Sequence, residues 1–478
     1  MKNYLSLICI IFYLSSFSQK ESFNFNKTYS VAQIQEDINY TEKYLTKFHP
    51  DPFKYISKDS LHAFILKQKE RIDSPLTEMQ LRFFVKQIVA KIGCGHSDVA
   101  ASKKYTKALK KVNRPIIPVN VFITDSSQLF IFNNLSNDST IKPGDEILSI
   151  NNHTSKQILN TIYSVYTSDG FNTTYKKQGV NYDWFKYYYS FCYGFKLKYV
   201  VKIKHQDNSI TNYNLAAISS SYDTLLLPKK DSIHSIRKTK TCTYSFIQDD
   251  KPIAVIDINK FKGWHWHSFV RKTFKDIKRK KIDNLVIDLR DNGGGQINDG
   301  LNLLSYLIDE RLTLPFDRKA NLMALNPKYK MGLASRVSPF IFFTLMPKWI
   351  VNGRLRHYFV TFPKKRNAFK GQVYVLVNGK SFSMSSVVAT YLKNKANTII
   401  IGEETGGNIA GSNAVLSGHI TLPNSKIRVF IPMYHLYYKV NVENKGRGVM
   451  PDFPTNYTKD IILKGTDLDL QKVGELVN

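Results

Sequence analysis

With 478 residues and a hydrophobic fraction of 43%, the chain is globular and long enough for roughly two to four domains with buried cores. Lys and Arg outnumber Asp and Glu by 68 to 38, a net charge of +30, yet no basic repeat or RNA-binding aromatic signature concentrates that charge, so nucleic acid is not an expected partner. It reads as a solvated basic surface, able to make peripheral contact with an anionic envelope surface or acidic substrates. Beyond the first segment the cysteines are Cys94, Cys192 and Cys242, an odd number without CxxC spacing, which excludes a disulfide framework and a cysteine zinc site.

The chain begins MKNYLSLICIIFYLSSFSQK: Lys2, an apolar run from Tyr4 to Leu14, then small residues, the pattern of a secretory signal (1–18) cut after Ser18. Its run of about ten apolar residues is short of the roughly 20 that span a bilayer. Export to a periplasmic or secreted location is the expectation. From Tyr29 to Ile92 apolar residues recur at three and four spacing (Ile34, Ile38, Leu45; Leu81, Val85, Ile88), an amphipathic helical pattern broken by the prolines of HPDPF at His49–Phe53. This predicts an N-terminal helical domain over 25–110, holding a turn, GCGHSD, in which Gly93 and Gly95 deliver His96.

Residues 112–219 alternate in a strand-like way, with PVNVFI and LFIF early and YVVKIKH late. Within them IKPGDEILSINN resembles the turn and strand that precede the groove helix of a PDZ domain. An aromatic insertion over 168–195 departs from that pattern and reads as core between domains rather than as a peptide cleft.

From 220 to 478 strands and helices alternate: KPIAVIDI, a helical stretch to Lys281, NLVIDLR, a helix through Leu301 to Ile308, QVYVLVN, a helix from Met384 to Leu392, and NTIIIG. The strands are apolar almost throughout, as sheet strands covered on both faces must be, so the fold class is α/β. The apolar run Phe340–Val351 is too short to span a membrane and reads as core or as a flap over a cleft. A hairpin turning at Pro423–Ser425 and a helix over Asp467–Leu476 close the chain.

Two strand ends carry the chemistry: IDLRDNGGG at Ile287–Gly295 and VLVNGKSFSMSS at Val375–Ser386. Strand, tight turn and helix together expose a side chain and aim backbone N–H groups at the same spot, which suits an activated hydroxyl beside an oxyanion site. Neither stretch has the lysine of a P-loop or GxGxxG spacing. His265 and His267 in WHWH have a metal-like spacing but no carboxylate or cysteine partner nearby in sequence, and no metal or other cofactor is expected.

DLRDNGGG resembles the DLRxNxGG signature of the tail-specific (C-terminal processing) and tricorn-type serine peptidases, and NGKSFSMSS resembles their NxxSASASE segment. The resemblance runs to GVMPD at Gly448–Asp452. It implies a crotonase-like α/β peptidase core and places the nucleophile at Ser383. GEETGG at Gly402–Gly407 falls where the Ser/Lys members have GExTxGK, but Asn408 stands at the lysine position, so the lysine base is absent. Tricorn-type members take a histidine from the helical domain and a late glutamate, which implies His96 as general base and Glu443 as the group that orients it; Glu403 and Glu404 are alternatives. Those members also carry a serine before the histidine, where this chain has Gly95. The implied oxyanion donors are the N–H groups of Gly294 (or Gly293) and Met384. The expected function is an exported endopeptidase acting on a polypeptide substrate through an acyl-enzyme at Ser383. The alternative is a catalytically silent peptide-binding scaffold of the same fold.

Overall fold

The computed structural model describes residues 23–221, 235–247, 250–316, 326–332, 336–337, 347–351, 354–438 and 446–478. The segment read as a signal (1–18), Glu443 and most of the apolar run Phe340–Val351 lie outside the described residues. Among the described residues no helix is long and apolar enough to cross a membrane.

Four helices open the described chain: α1 (Val31–Phe48), α2 (Lys58–Glu70), α3 (Glu78–Lys91) and α4 (Lys103–Leu109). Ser30 with Gln33 and Thr77 with Gln80 form capping boxes that satisfy orphan N–H groups at the starts of α1 and α3. The prolines of HPDPF fall between α1 and α2, where neither helix must accommodate them.

Next comes an antiparallel sheet of β1 (Val119–Ile123), β2 (Leu129–Asn134), β3 (Glu146–Ile150), β4 (Lys198–Lys204) and β5 (Ile210–Ala216), ordered β5-β4-β3-β2-β1. Helix α5 (Ser155–Val165) packs on it through Ile158, Leu159 and Ile162. The 168–195 insertion is helical, α6 (Thr174–Val180) and α7 (Trp184–Tyr193), where the strand-like pattern of the surrounding sequence gave no sign of helices. Its Phe185 and Tyr189 are core residues. It also covers the outer edge of β1: Tyr182 N–H donates to the Val121 carbonyl (2.6 Å), and Asn181 Oδ1 accepts from Ile123 N–H (2.8 Å).

From Ser235 onward the described strands are β6 (Ser235–Lys238), β7 (Cys242–Ile247), β8 (Ile253–Ile258), β9 (Asn284–Asp288), β10 (Leu312–Phe316), β11 (Lys348–Val351), β12 (Arg354–Thr361), β13 (Gln372–Val377), β14 (Thr398–Gly402), β15 (Gly411–Thr421), β16 (Arg428–Tyr437) and β17 (Phe453–Pro454). The helices among and after them are α8 (Trp266–Arg279), α9 (Ile297–Leu304), α10 (Met384–Lys393), α11 (Lys459–Lys464) and α12 (Leu468–Val477). One sheet runs β6-β7-β8-β9-β13-β14-β17, parallel from β8 onward. Alternate residues of its apolar strands serve two cores. Ala254, Ile256, Leu285, Ile287, Val373 and Val375 face the main core, while Ile253, Val255, Val286 and Leu376 face Val473 and Val477 of α12.

A second sheet runs β11-β12-β10-β16-β15 and takes in a strand of the helical domain, Asp98–Ala100, against Arg428–Phe430 of β16. The β15–β16 turn is tied to α1, since Asp37 accepts from the N–H groups of Asn424 and Ser425 (both 2.9 Å). Strand pairing and this carboxylate clamp together fix where the residues just before Asp98 sit, His96 among them.

Candidate active site

Ser383 closes the turn between β13 and α10 at φ 56°, ψ −120°, a backbone conformation that costs a residue with a Cβ roughly 1–3 kcal/mol. A serine before a helix is ordinarily a cap, but Ser383 makes no cap hydrogen bond, so its Oγ is not used in holding the helix. The turn is held on both sides. Phe382 N–H donates to the Asn292 carbonyl (3.0 Å), Ser386 Oγ donates to the Ser381 carbonyl (2.8 Å), and Gly407 N–H donates to Ser386 Oγ (3.1 Å). Strain at a partly buried hydroxyl that lines a cavity, enforced by its surroundings, resembles the geometry of a nucleophile elbow.

The glycine loop after β9 lies directly against this turn. A Cβ on Gly294 (φ 97°) would meet Ser383 Cβ at 2.7 Å and Met384 N at 2.8 Å, so only glycine fits. The Gly294 N–H, expected from the sequence as an oxyanion donor, is already committed to Asn292 Oδ1 at 2.8 Å. Among the described residues the N–H groups of Gly293, Gly295 and Met384 have no acceptor. Gly295 and Met384 line the same cavity as Ser383.

The structure brings His96 and Ser383 onto one cavity of about 450 Å³, otherwise lined mostly by apolar groups such as Leu314, Phe359, Val387, Leu416 and Leu436. The His96 ring lies on Phe382, the residue before Ser383, with centroids 4.6 Å apart. No hydrogen bond joins the ring to Ser383 in this conformation, which is usual before substrate closes such a site. His96 Nδ1 is buried without a partner, and the residue lines the cavity. Gly95 is where a serine was expected; a Cβ there would meet the Phe382 ring at 2.7 Å, so the packing that seats His96 excludes one.

The acids near the site divide clearly. Glu403 holds Lys177 and Gln178, and Glu404 holds Arg447 and Gly448 N–H (2.7 Å), so neither is free to orient His96. Glu443 is outside the described residues. Asp169, which the sequence reading passed over, is buried beside His96. Its Oδ1 accepts from Gly95 N–H (2.8 Å) and its Oδ2 from Asn408 N–H (3.3 Å). Burial pushes the Asp169 carboxyl above the usual range, and His96 is the charge that most opposes this; burial pushes the His96 imidazole down, with Asp169 acting against it.

Asn408 at the lysine position is itself fully used. Its side-chain amide donates to Tyr55 Oη (2.7 Å) and its Oδ1 accepts from Ala410 N–H (2.8 Å). Arg290 of the DLRDNGGG stretch is structural: buried, it pairs with Asp288, Asp467 and Asp469 and so fastens α12 to the core.

Residues 252–455, which contain both catalytic-looking turns, match the family model described as Peptidase family S41. The match covers less than half of the chain and takes in neither the helices before it nor the 112–219 sheet. The mixed α/β architecture is consistent with the fold of that peptidase family. Among solved structures it is similar to mature CPAF complexed with lactacystin (14% identity over 94% of this chain and 98% of that one, TM-score 0.65) and to mature CPAF alone (14%, 94% and 96%, 0.64). The photosystem II D1 C-terminal processing protease is a looser likeness (13%, 93% and 97%, 0.42). At these identities the likeness is one of fold. No curated protein sequence matches the chain.

Proposed function

We propose that this chain is a serine peptidase of the S41 type, an exported endopeptidase that cleaves polypeptides through an acyl-enzyme at Ser383, with His96 as general base. The observation that carries the reading is a strained serine, unused as a cap, on the same cavity as a half-buried histidine. The proton of Ser383 Oγ passes to His96 Nε2 as Oγ bonds to the substrate carbonyl carbon. It is then delivered to the leaving amine as the peptide C–N bond breaks, and water repeats the sequence in reverse to release the acid. The oxyanion of each tetrahedral intermediate is met by the N–H of Met384, at the start of α10, and by that of Gly295 or Gly293, each donor worth roughly 3 kcal/mol in such sites. Glu443 remains the third member that the family resemblance implies.

The apolar walls favour a substrate side chain without charge. The core is read as crotonase-like and the 112–219 segment as PDZ-like. The insertion already pairs with the edge of β1 where a peptide strand would add, so capture by strand addition there requires Asn181 and Tyr182 to be displaced. The net charge supports contact with an anionic envelope surface. Reaction with a fluorophosphonate probe tests the function. Labelling that maps to Ser383 and vanishes in Ser383→Ala is expected. Absence of labelling where a control serine hydrolase labels would leave the silent-scaffold reading in its place.

A further inference from the structure

The 168–195 insertion delivers Asp169 to the turn that bears His96. Gly170 N–H donates to the Gly93 carbonyl (2.9 Å), Gly95 N–H donates to Asp169 Oδ1, and a Cβ on Gly95 would lie 3.3 Å from that same oxygen. The aromatic side chains of the insertion support the other face of the site: Tyr175 stacks on Phe382 (4.5 Å, 18°), and Phe382 in turn carries the His96 ring. Asp169 is 4% exposed and, among the described residues, forms no ion pair; both of its hydrogen bonds come from neutral backbone N–H groups.

A buried carboxylate without an ion-paired cation is costly, and folds retain one where a charge will appear beside it; Lys54 acts on Asp169 without pairing with it. The groups facing it are His96, Lys54, Tyr55, Cys94, Tyr175 and Tyr438. Among them only His96 becomes cationic during the reaction described above. The neutral residue at 408 belongs to the same arrangement. Asn408 offers Asp169 a backbone N–H, whereas a lysine in that place would pair with the carboxylate permanently and cancel its charge before His96 could use it.

Building on the proposed peptidase mechanism, we propose that Asp169 is the positioning carboxylate that stabilises His96 in its protonated, transition-state form, so that the aromatic insertion is a working part of the active site. Asp169 does this through the field of a fixed, desolvated charge and through its hold on Gly95, without touching the substrate.

The test compares wild type with Asp169→Asn and Asn408→Lys, two independent ways of removing the free negative charge. The rate of fluorophosphonate labelling is followed against pH, and His96 is titrated by NMR in a Ser383→Ala background. Both variants should label roughly 10- to 100-fold more slowly at mildly alkaline pH, and the acid limb of the profile should move down by about one pH unit, because losing an adjacent opposite charge lowers an imidazole pKa. The NMR titration of His96 should move the same way without any reliance on activity. If wild type does not label, the peptidase reading fails while the NMR comparison still judges Asp169. A folded variant whose His96 titrates as in wild type, with its acid limb unmoved, overturns the proposal. Should Asp169→Asn not fold, Asp169→Ser, which also leaves an acceptor for Gly95, and Asn408→Lys carry the comparison.

Discussion

The backbone of Ser383 makes a prediction in which stability and activity move in opposite directions. At φ 56°, ψ −120° a residue with a Cβ bears roughly 1–3 kcal/mol of strain, which glycine does not feel. Ser383→Gly removes that strain but gives the unfolded chain extra freedom worth roughly 0.5–1 kcal/mol. The net expectation is a gain of about 1 kcal/mol, or roughly 1–2 °C in Tm for a chain of this size. Ser383→Ala keeps the Cβ and hence the strain. Because the Ser383 side chain makes no cap bond, alanine should match the wild-type Tm closely. Differential scanning calorimetry or urea midpoints on the three proteins, with fluorophosphonate labelling alongside, give the comparison. Both variants lose labelling, and only glycine gains stability. A glycine variant no more stable than alanine would refute the claim that this turn stores strain to present its hydroxyl.

Other outcomes follow from neighbouring features. Gly294→Ala places a Cβ 2.7 Å from that of Ser383, and should lose labelling at least as completely as it loses stability, read by thermal melt and probe together. Because burial depresses the His96 pKa, the neutral, proton-accepting form persists as pH falls through the ordinary imidazole range; kcat/KM should lose its acid limb below that range, and a limb above it contradicts the assignment. Arg290→Met removes the guanidinium shared by the buried Asp288 and Asp469 and the half-buried Asp467, and should cost about 3–5 kcal/mol by urea denaturation, with early proteolysis at α12.

The α/β core was legible because its strands are buried on both faces and are written as nearly unbroken apolar runs, and IAVIDI, LVIDL and VYVLV all occupy the central sheet. Ser383 and His96 could be singled out because glycine-bearing turns mark them, and both line one cavity. Asp169 was not: it is one acid at the head of an aromatic stretch, 74 residues from the Gly95 N–H it accepts, and nothing in local periodicity signals a contact made only by tertiary docking. Helices α6 and α7 were hidden for a related reason, since tyrosine and phenylalanine favour strands on propensity alone and are overridden here by packing on β1 and α5. The commitment of the Gly294 N–H to Asn292 was likewise invisible, because GGG offers three donors and only the Asn292 turn decides which one is spent. Glycine at position 95 follows from Phe382, a partner far along the chain.

The strand Asp98–Ala100, paired with Arg428–Phe430, has a consequence for the order in which the molecule acquires its chemistry. The histidine turn precedes that strand near one end of the chain, and its strand partner is made near the other. Long-range pairings of this kind form late, after the costly loops between them have closed. On the proposed mechanism, a nascent or partly folded chain has not yet joined the serine to the histidine, and hydrolytic competence arrives only with the last contacts of folding. The chain's own exposed segments are thus spared its chemistry during the period when they are most vulnerable to it.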